Sequence, residues 1–178
     1  MKHKTITLVS AVALALGMGA AYATDSTAKE EMALTNAKVS LNEAIHMAEQ
    51  KGGGKAVSAE YSPKSGTAGR YEIKVLSHDG KQLTEYDLDP NTGTVTKSEN
   101  EPFEKMFTRL KPASIQNAPT SLTRAVNTAE ARAGGKATEA EVDRDGDQVK
   151  YTVKVAKADG STEKVVINGA NGHVASAK

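Results

Sequence analysis

Residues 70–75 read Arg-Tyr-Glu-Ile-Lys-Val, and the same alternation returns at 150–155 as Lys-Tyr-Thr-Val-Lys-Val. Tyr71, Ile73 and Val75 are separated by Glu72 and Lys74, as Tyr151, Val153 and Val155 are by Thr152 and Lys154. A period of two is the pattern of a strand with one face on a core and the other in water. The surroundings repeat too. Asp79-Gly80 and Asp159-Gly160 follow the two copies, and Gly53-Gly54-Lys55-Ala56 and Gly134-Gly135-Lys136-Ala137 precede them. Further upstream, Ser40–Glu49 (SLNEAIHMAE) matches Ser121–Glu130 (SLTRAVNTAE). A repeat of about 80 residues is a duplicated domain, since solenoid units run to only ~20–50 residues.

Each copy reads helix first, then strands. Ser40 and Glu43 have the spacing of a capping box, and Leu41, Ala44, Ile45 and Ala48 form one helical face. Gly52-Gly53-Gly54 ends that helix. Strands are predicted over 56–62, 70–77, 82–88 and 94–97, with turns at 78–81 and 89–93 written in Asp, Asn, Pro and Gly. In the second copy Leu122, Ala125, Val126 and Ala129 make the helix face, and Gly134-Gly135 the stop. Strands are predicted near Thr138–Val142 and over 149–156, 162–167 and 173–175, with Asp143–Gln148 as a loop. The expectation is an α+β chain of two units, 39–97 and 119–178, each a helix on an antiparallel sheet of three to four strands. Between them, 98–118 is predicted as a helical linker. Its stripe Phe103, Met106, Phe107 and Leu110 either closes the core between the units or binds a partner helix-in-groove. Pro112 and Pro119 bound a loop after that stripe.

The N-terminus reads as a leader. Met1–Lys4 is basic, Ile6–Leu16 is apolar, and Ala21-Tyr22-Ala23 is a small-x-small site, placing the cut between Ala23 and Thr24. The apolar run is shorter than the ~20 residues of a membrane span. Residues 24–38 are polar, alanine-rich and read as a flexible arm, with a frayed helical turn around Met32 and Leu34. Removing Lys2 and Lys4 with the leader leaves one more acid than base, with no basic stripe. Nucleic acid and anionic lipid are therefore poor candidates as partners. The chain has no Cys, no Trp and two Phe, so units this small need to pack on one another or on a partner.

Catalytic and metal patterns are weak. His46, His78 and His173 come from different elements without HExxH spacing. Asp143-Arg144-Asp145-Gly146-Asp147 has Gly fourth and Lys154 twelfth, where a calcium loop requires Gly sixth and Glu twelfth. Asp87, Asp89 and Asn91 fail the same test. Gly52–Lys55 ends a helix rather than opening one, unlike a phosphate loop. No cofactor, metal or catalytic residue is expected. The polar positions of the repeated strands, Glu72, Lys74, Lys150 and Lys154, together with Phe103 and Phe107, are the candidate contact residues. Sheet rims offer an alternative, because an extended peptide can add there as a strand.

These motifs, taken in order, resemble the PepSY family. The residues that carry the likeness are Ser40, Glu43, Ala44, Ile45, Ala48, Tyr71, Val75, Asp79, Gly80, Asp89, Thr92, Gly93 and Val95. In the second copy they are Ala125, Ala129, Tyr151, Val155, Asp159, Gly160, Gly172 and Val174. That copy departs from the pattern at Arg124, Asn168 and Asn171. The resemblance implies a helix laid across an antiparallel sheet, acting as a non-enzymatic, inhibitor-like module that restrains a peptidase. No peptidase domain follows the repeats, so the action expected is in trans, on a peptidase or another envelope protein of the periplasm. Two other readings stay open: a binder of metal ions or small ligands in the envelope, and a structural partner of another envelope protein. The sequence leaves the oligomeric state open.

Overall fold

A computed structural model describes Leu34 and residues 36–63, 69–102, 111–145 and 148–178. The first helix, α1 (Leu41–Gly52), starts where its capping chemistry demands. Ser40 Oγ accepts from Glu43 N at 3.2 Å, and Glu43 Oε2 accepts from Ser40 N at 2.8 Å. Leu41, Ala44, Ile45 and Ala48 are buried, as their spacing predicts. The repeated Gly-Gly-Lys-Ala segment then turns helix into strand. Gly53 caps the helix at φ 59°, in the left-handed region that costs glycine nothing. A Cβ on Gly54 would lie 2.0 Å from Leu76 O, so only glycine fits there. Ala56 N donates to Glu49 Oε1 at 2.9 Å, tying the new strand back to the helix. The second copy repeats these devices. Gly134 has φ 72°, a Cβ on Gly135 would lie 2.1 Å from Ala156 O, and Ala137 N donates to Glu130 Oε1 at 2.8 Å.

The strands of the first unit are β1 (Gly54–Ser62), β2 (Arg70–Ser77), β3 (Leu83–Leu88) and β4 (Val95–Glu101). A short helix α2 (Pro112–Asn117) leads into α3 (Leu122–Ala133), followed by β5 (Lys136–Asp145), β6 (Gln148–Ala156), β7 (Thr162–Asn168) and β8 (Val174–Ala177). Several boundaries differ from the sequence reading. β4 runs to Glu101 rather than Lys97 because β3 pairs with it up to Leu83↔Glu101. At such a rim the side chains are polar on both faces, so no alternation marks the strand. Pairing likewise carries β5 through Asp145, opposite Gln148, where a loop was expected, and β8 runs from Val174 to Ala177. Pro112 opens a helical turn instead of a loop, its fixed φ and missing N–H suiting a helix start.

The larger difference lies between the units. Two small sheets were expected, but the strands form one antiparallel sheet in the order β4-β3-β2-β1-β5-β6-β7-β8. The first strands of the two units pair with each other, Ser58↔Glu141, Ala59↔Ala140 and Glu60↔Glu139. Both long helices lie on one face, where Asn42 Nδ2 donates to Asn127 Oδ1 at 2.5 Å. A single apolar cluster runs beneath them through both units. Tyr71 and Tyr151 fasten the strands of each unit to the chain entering its helix. Tyr71 Oη donates to Val39 O at 2.6 Å, and Tyr151 Oη donates to Thr120 O. Desolvation raises both phenol pKa values, that of Tyr151 to about 12. α2 bridges the units as well. Lys55 Nζ donates to Gln116 O at 2.8 Å, and Gln116 Nε2 donates to Ser77 O at 2.8 Å. Leu34, in the stretch read as a polar arm, is buried in the same cluster and occupies in the first unit the place Ile115 holds in the second. Ala37 N bonds back to Leu34 O as Ala118 N does to Ile115 O.

The seam carries a charge penalty on the open face. Glu60 sits directly opposite Glu139, with Glu72 beside it on β2 and Lys154 beyond Glu139 on β6. Partial desolvation holds the Glu60 carboxyl above its ordinary range, reinforced by Glu139 and Glu72. Glu141 is raised for the same reason, with Glu139 and Asp143 as the like charges. A carboxyl raised in the folded state binds its proton more tightly there than in the unfolded chain. Its contribution to stability is therefore present below the unfolded value near 4.5 and is lost as pH rises through the raised value. Replacing Glu60 and Glu141 together by Gln should stabilise the chain at pH 7 by roughly 0.2–1 kcal/mol, the cost of opposed like charges. Urea titrations between pH 4 and 8 should show that gain closing towards pH 4. A second test concerns the shared core. Ile45→Ala should cost about 2–5 kcal/mol, and probes placed in either unit should melt in one coincident transition.

Candidate functional site

The sheet has one free face. Because Tyr71, Ile73 and Val75 point under α1, the intervening Arg70, Glu72 and Lys74 point away from the helices. The same logic places Lys150, Thr152 and Lys154 of β6 on that side. β1 contributes Ser58 and Glu60, and β5 contributes Glu139, Glu141 and Asp143. The candidate contacts Glu72, Lys74, Lys150 and Lys154 thus share one continuous surface. β2 and β6 stand three strand spacings apart, about 14 Å.

Most charges on this face are paired across strands. Lys74 Nζ lies 3.4 Å from Glu85 and 3.9 Å from Glu101, and Arg70 bridges Glu72 and Asp87. Lys150 lies 3.6 Å from Asp143, and Lys154 pairs with Glu139. Pairs this exposed stabilise little. They order the side chains into a patterned surface rather than hold the fold. Glu60, Glu139 and Glu141 were absent from the sequence reading, since only the β1–β5 register brings them together. No local pattern announces that register.

The remaining sequence candidates have structural duties or stand apart. Asp79 Oδ1 accepts from Ser77 Oγ and Lys81 N, Asp89 Oδ1 from Asn91 N and Thr92 N, and Asp159 Oδ1 from Ser161 Oγ and N. These bonds hold the three carboxyls below their ordinary range. They act as turn formers. Asn168 keeps the same role through a neutral oxygen, accepting from Ala170 N at 2.8 Å. His46, His78 and His173 are exposed and widely separated in the fold, and His46 Nε2 meets Gln50 Nε2 at 3.0 Å. No group of three or more His, Cys, Asp or Glu among the described residues is placed to hold a metal. A shallow cleft of about 400 Å³ lies between α2 and the β6–β7 end of the sheet, lined by Ala113, Asn117, Pro119, Val149 and Gly169 among others. Its lining carries no titratable side chain. Ala23, Thr24, Phe103 and Phe107 lie outside the described residues. No helix among the described residues is long and apolar enough to cross a membrane, which leaves β-barrels aside.

The two rims of the sheet are β4 and β8. The β1 and β5 edges, which would be free in isolated units, are consumed by the seam. The strand-addition reading therefore narrows to these outer rims.

A match to one family model agrees with the two-unit organisation. The family model PepSY, described as "Peptidase propeptide and YPEB domain", matches residues 38–99 and 120–178. The two matches coincide with the two helix-and-sheet units. No curated protein matches the chain. Among solved structures, a lipoprotein candidate from Clostridium difficile 630 is similar at 16% identity with a TM-score of 0.48, covering 84% of this chain and 98% of that one. With more than half of its residues inside the two matches, the chain belongs to the PepSY family and carries two PepSY domains in tandem.

Proposed function

We propose that the chain is an exported, non-enzymatic binding module that restrains a peptidase of the cell envelope. The observation that carries this reading is the fusion of two PepSY units into one sheet with a continuous polar face. Both matched units belong to a family described by peptidase propeptides. The described residues of the sheet serve turns, caps and cross-strand pairs, which are the parts of a rigid surface. Binding rather than chemistry suits such a surface, since ordered side chains lose little entropy on contact. The leader ending at Ala21-Tyr22-Ala23 supports export to the periplasm, with mature protein beginning at Thr24.

Mature chain should appear in the periplasmic fraction with Thr24 as its first residue by mass spectrometry. Titrated against peptidases captured from an envelope extract of its own organism, it should lower the activity of one of them saturably. Reversing charge on the open face by Lys74→Glu with Lys154→Glu should weaken that inhibition at least tenfold. Folding stability should fall by no more than about 2 kcal/mol, since each reversal sets a glutamate opposite another across the strands. Unchanged inhibition by the variant would remove the open face from the reading. Failure to inhibit any captured peptidase would remove the peptidase.

A further inference from the structure

The duplication provides an internal control for the two rims. β4 and β8 are equivalent strands, each joined to its unit through a bulge, at Asp87/Leu88 and Val166/Ile167. Through those bulges Val95 corresponds to Val174, Lys97 to Ser176, Ser98 to Ala177 and Glu99 to Lys178. The first unit guards its rim. Lys97 and Glu99 form an ion pair at 2.5 Å along the strand, Asn100 Oδ1 accepts from Gln82 Nε2, and pairing extends to Glu101. Charged side chains along an edge are how soluble sheets discourage added strands. The second unit has lost that guard. β8 reads Val-Ala-Ser-Ala, is exposed over its first three residues, and includes Val174, one of two exposed large apolar residues among those described.

Its backbone is presented outward. Lys164 and Lys178 exchange reciprocal N–H···O bonds of 2.8 and 3.0 Å, so both backbone groups of Lys178 face β7. Antiparallel alternation then turns the N–H and C=O of the preceding Ala177 away from the sheet. Among the described residues no strand follows β8 in the sheet. The neighbouring charges define what fits. Lys164 and Lys178 are exposed on the open face, and neither forms an ion pair among the described residues. On the helix side of the same rim stand Val174 and Ala177, opposite the buried Ile167 and Val165.

We propose that the β8 rim is a strand-addition site for an extended segment of a partner protein in which acidic residues alternate with small apolar ones. The segment's backbone pairs with β8. Its acidic side chains lie beside Lys164 and Lys178, and its apolar side chains continue the row of Val174 and Ala177. A second copy of this chain is a poorer occupant, because two β8 rims would bring the lysines of both together. The inference rests on the reading of this chain as a protein-binding module but not on the partner's being a peptidase. Peptide binding without peptidase inhibition separates the two.

The probe is a blocked, fluorescein-tagged peptide of sequence EVEVTV, titrated into the mature chain and followed by anisotropy and amide shifts. Saturable binding is expected, with shifts confined to residues 162–168 and 174–178. A KVKVTV peptide should bind at least tenfold more weakly, and raised salt should weaken EVEVTV binding. The variant Ser176→Lys with Lys178→Glu, which copies the rim of the first unit, should lose binding at least tenfold while melting like the parent. No saturable binding at millimolar peptide, equal binding of the two peptides, or shifts centred on β4 or the open face would overturn the proposal. A dimer of the free chain that the same variant dissociates would overturn it in favour of a second copy.

Discussion

Three residue pairs between β1 and β5 hold the architecture together. Ser58, Ala59 and Glu60 run antiparallel to Glu141, Ala140 and Glu139, and through them eight strands become one sheet. A unit of this size buries too little apolar surface to be secure alone, and each would leave the edge of its first strand unpaired. The seam removes both of those edges at once and sets α1 beside α3 over a shared core. The chain has no cysteine, and area shared between the units stabilises them without cross-links. The seam is nonetheless imperfect. At its open face two carboxylates stand opposite each other, so the joint is tightest where the raised Glu60 carboxyl is protonated.

The two copies differ where they no longer need the same chemistry. Glu43 completes the capping box of α1, whereas Arg124 at the matching place extends to Asn171 O, 3.4 Å away, in the turn before β8. Asp89 and Asn168 each organise the turn before their own unit's rim strand through one side-chain oxygen, so a neutral oxygen serves as well as a charged one. The rim strands diverge as well, keeping Val95 and Val174 in common but not Lys97, Ser98 or Glu99. Among the described strands they alone have an unpaired side, and a change there alters what the surface excludes without disturbing the core. Divergence at a rim separates folding from recognition within a single duplicated framework.

Much of this was legible in the sequence because it depends on local spacing. Ser40 with Glu43 marked the helix start, Leu41, Ala44, Ile45 and Ala48 its buried face, and Tyr71, Ile73 and Val75 the buried side of the repeated strand. Asp-Gly and Asp-Pro-Asn-Thr-Gly marked turns whose oxygens do organise the backbone. The polar character of Glu72, Lys74, Lys150 and Lys154 was equally plain. That the four share one surface was not, because their common plane follows from pairing between strands far apart in the chain. Leu34 and β4 were misread for a related reason. A single apolar residue in a polar stretch carries no period, and a rim strand shows polar side chains on both faces.

The sequence by itself determined the elements, the duplication and the side of each strand that turns inward. Each of these follows from chain stereochemistry and from the cost of burying the wrong side chain, and both act within a few residues. Only the tertiary structure decided that the units join edge to edge, that Glu60 confronts Glu139, and that β4 and β8 are the rims left exposed. Backbone hydrogen bonding between strands is nearly indifferent to side-chain identity. The choice of which edges pair is therefore settled by how both helices and the whole apolar cluster pack at once.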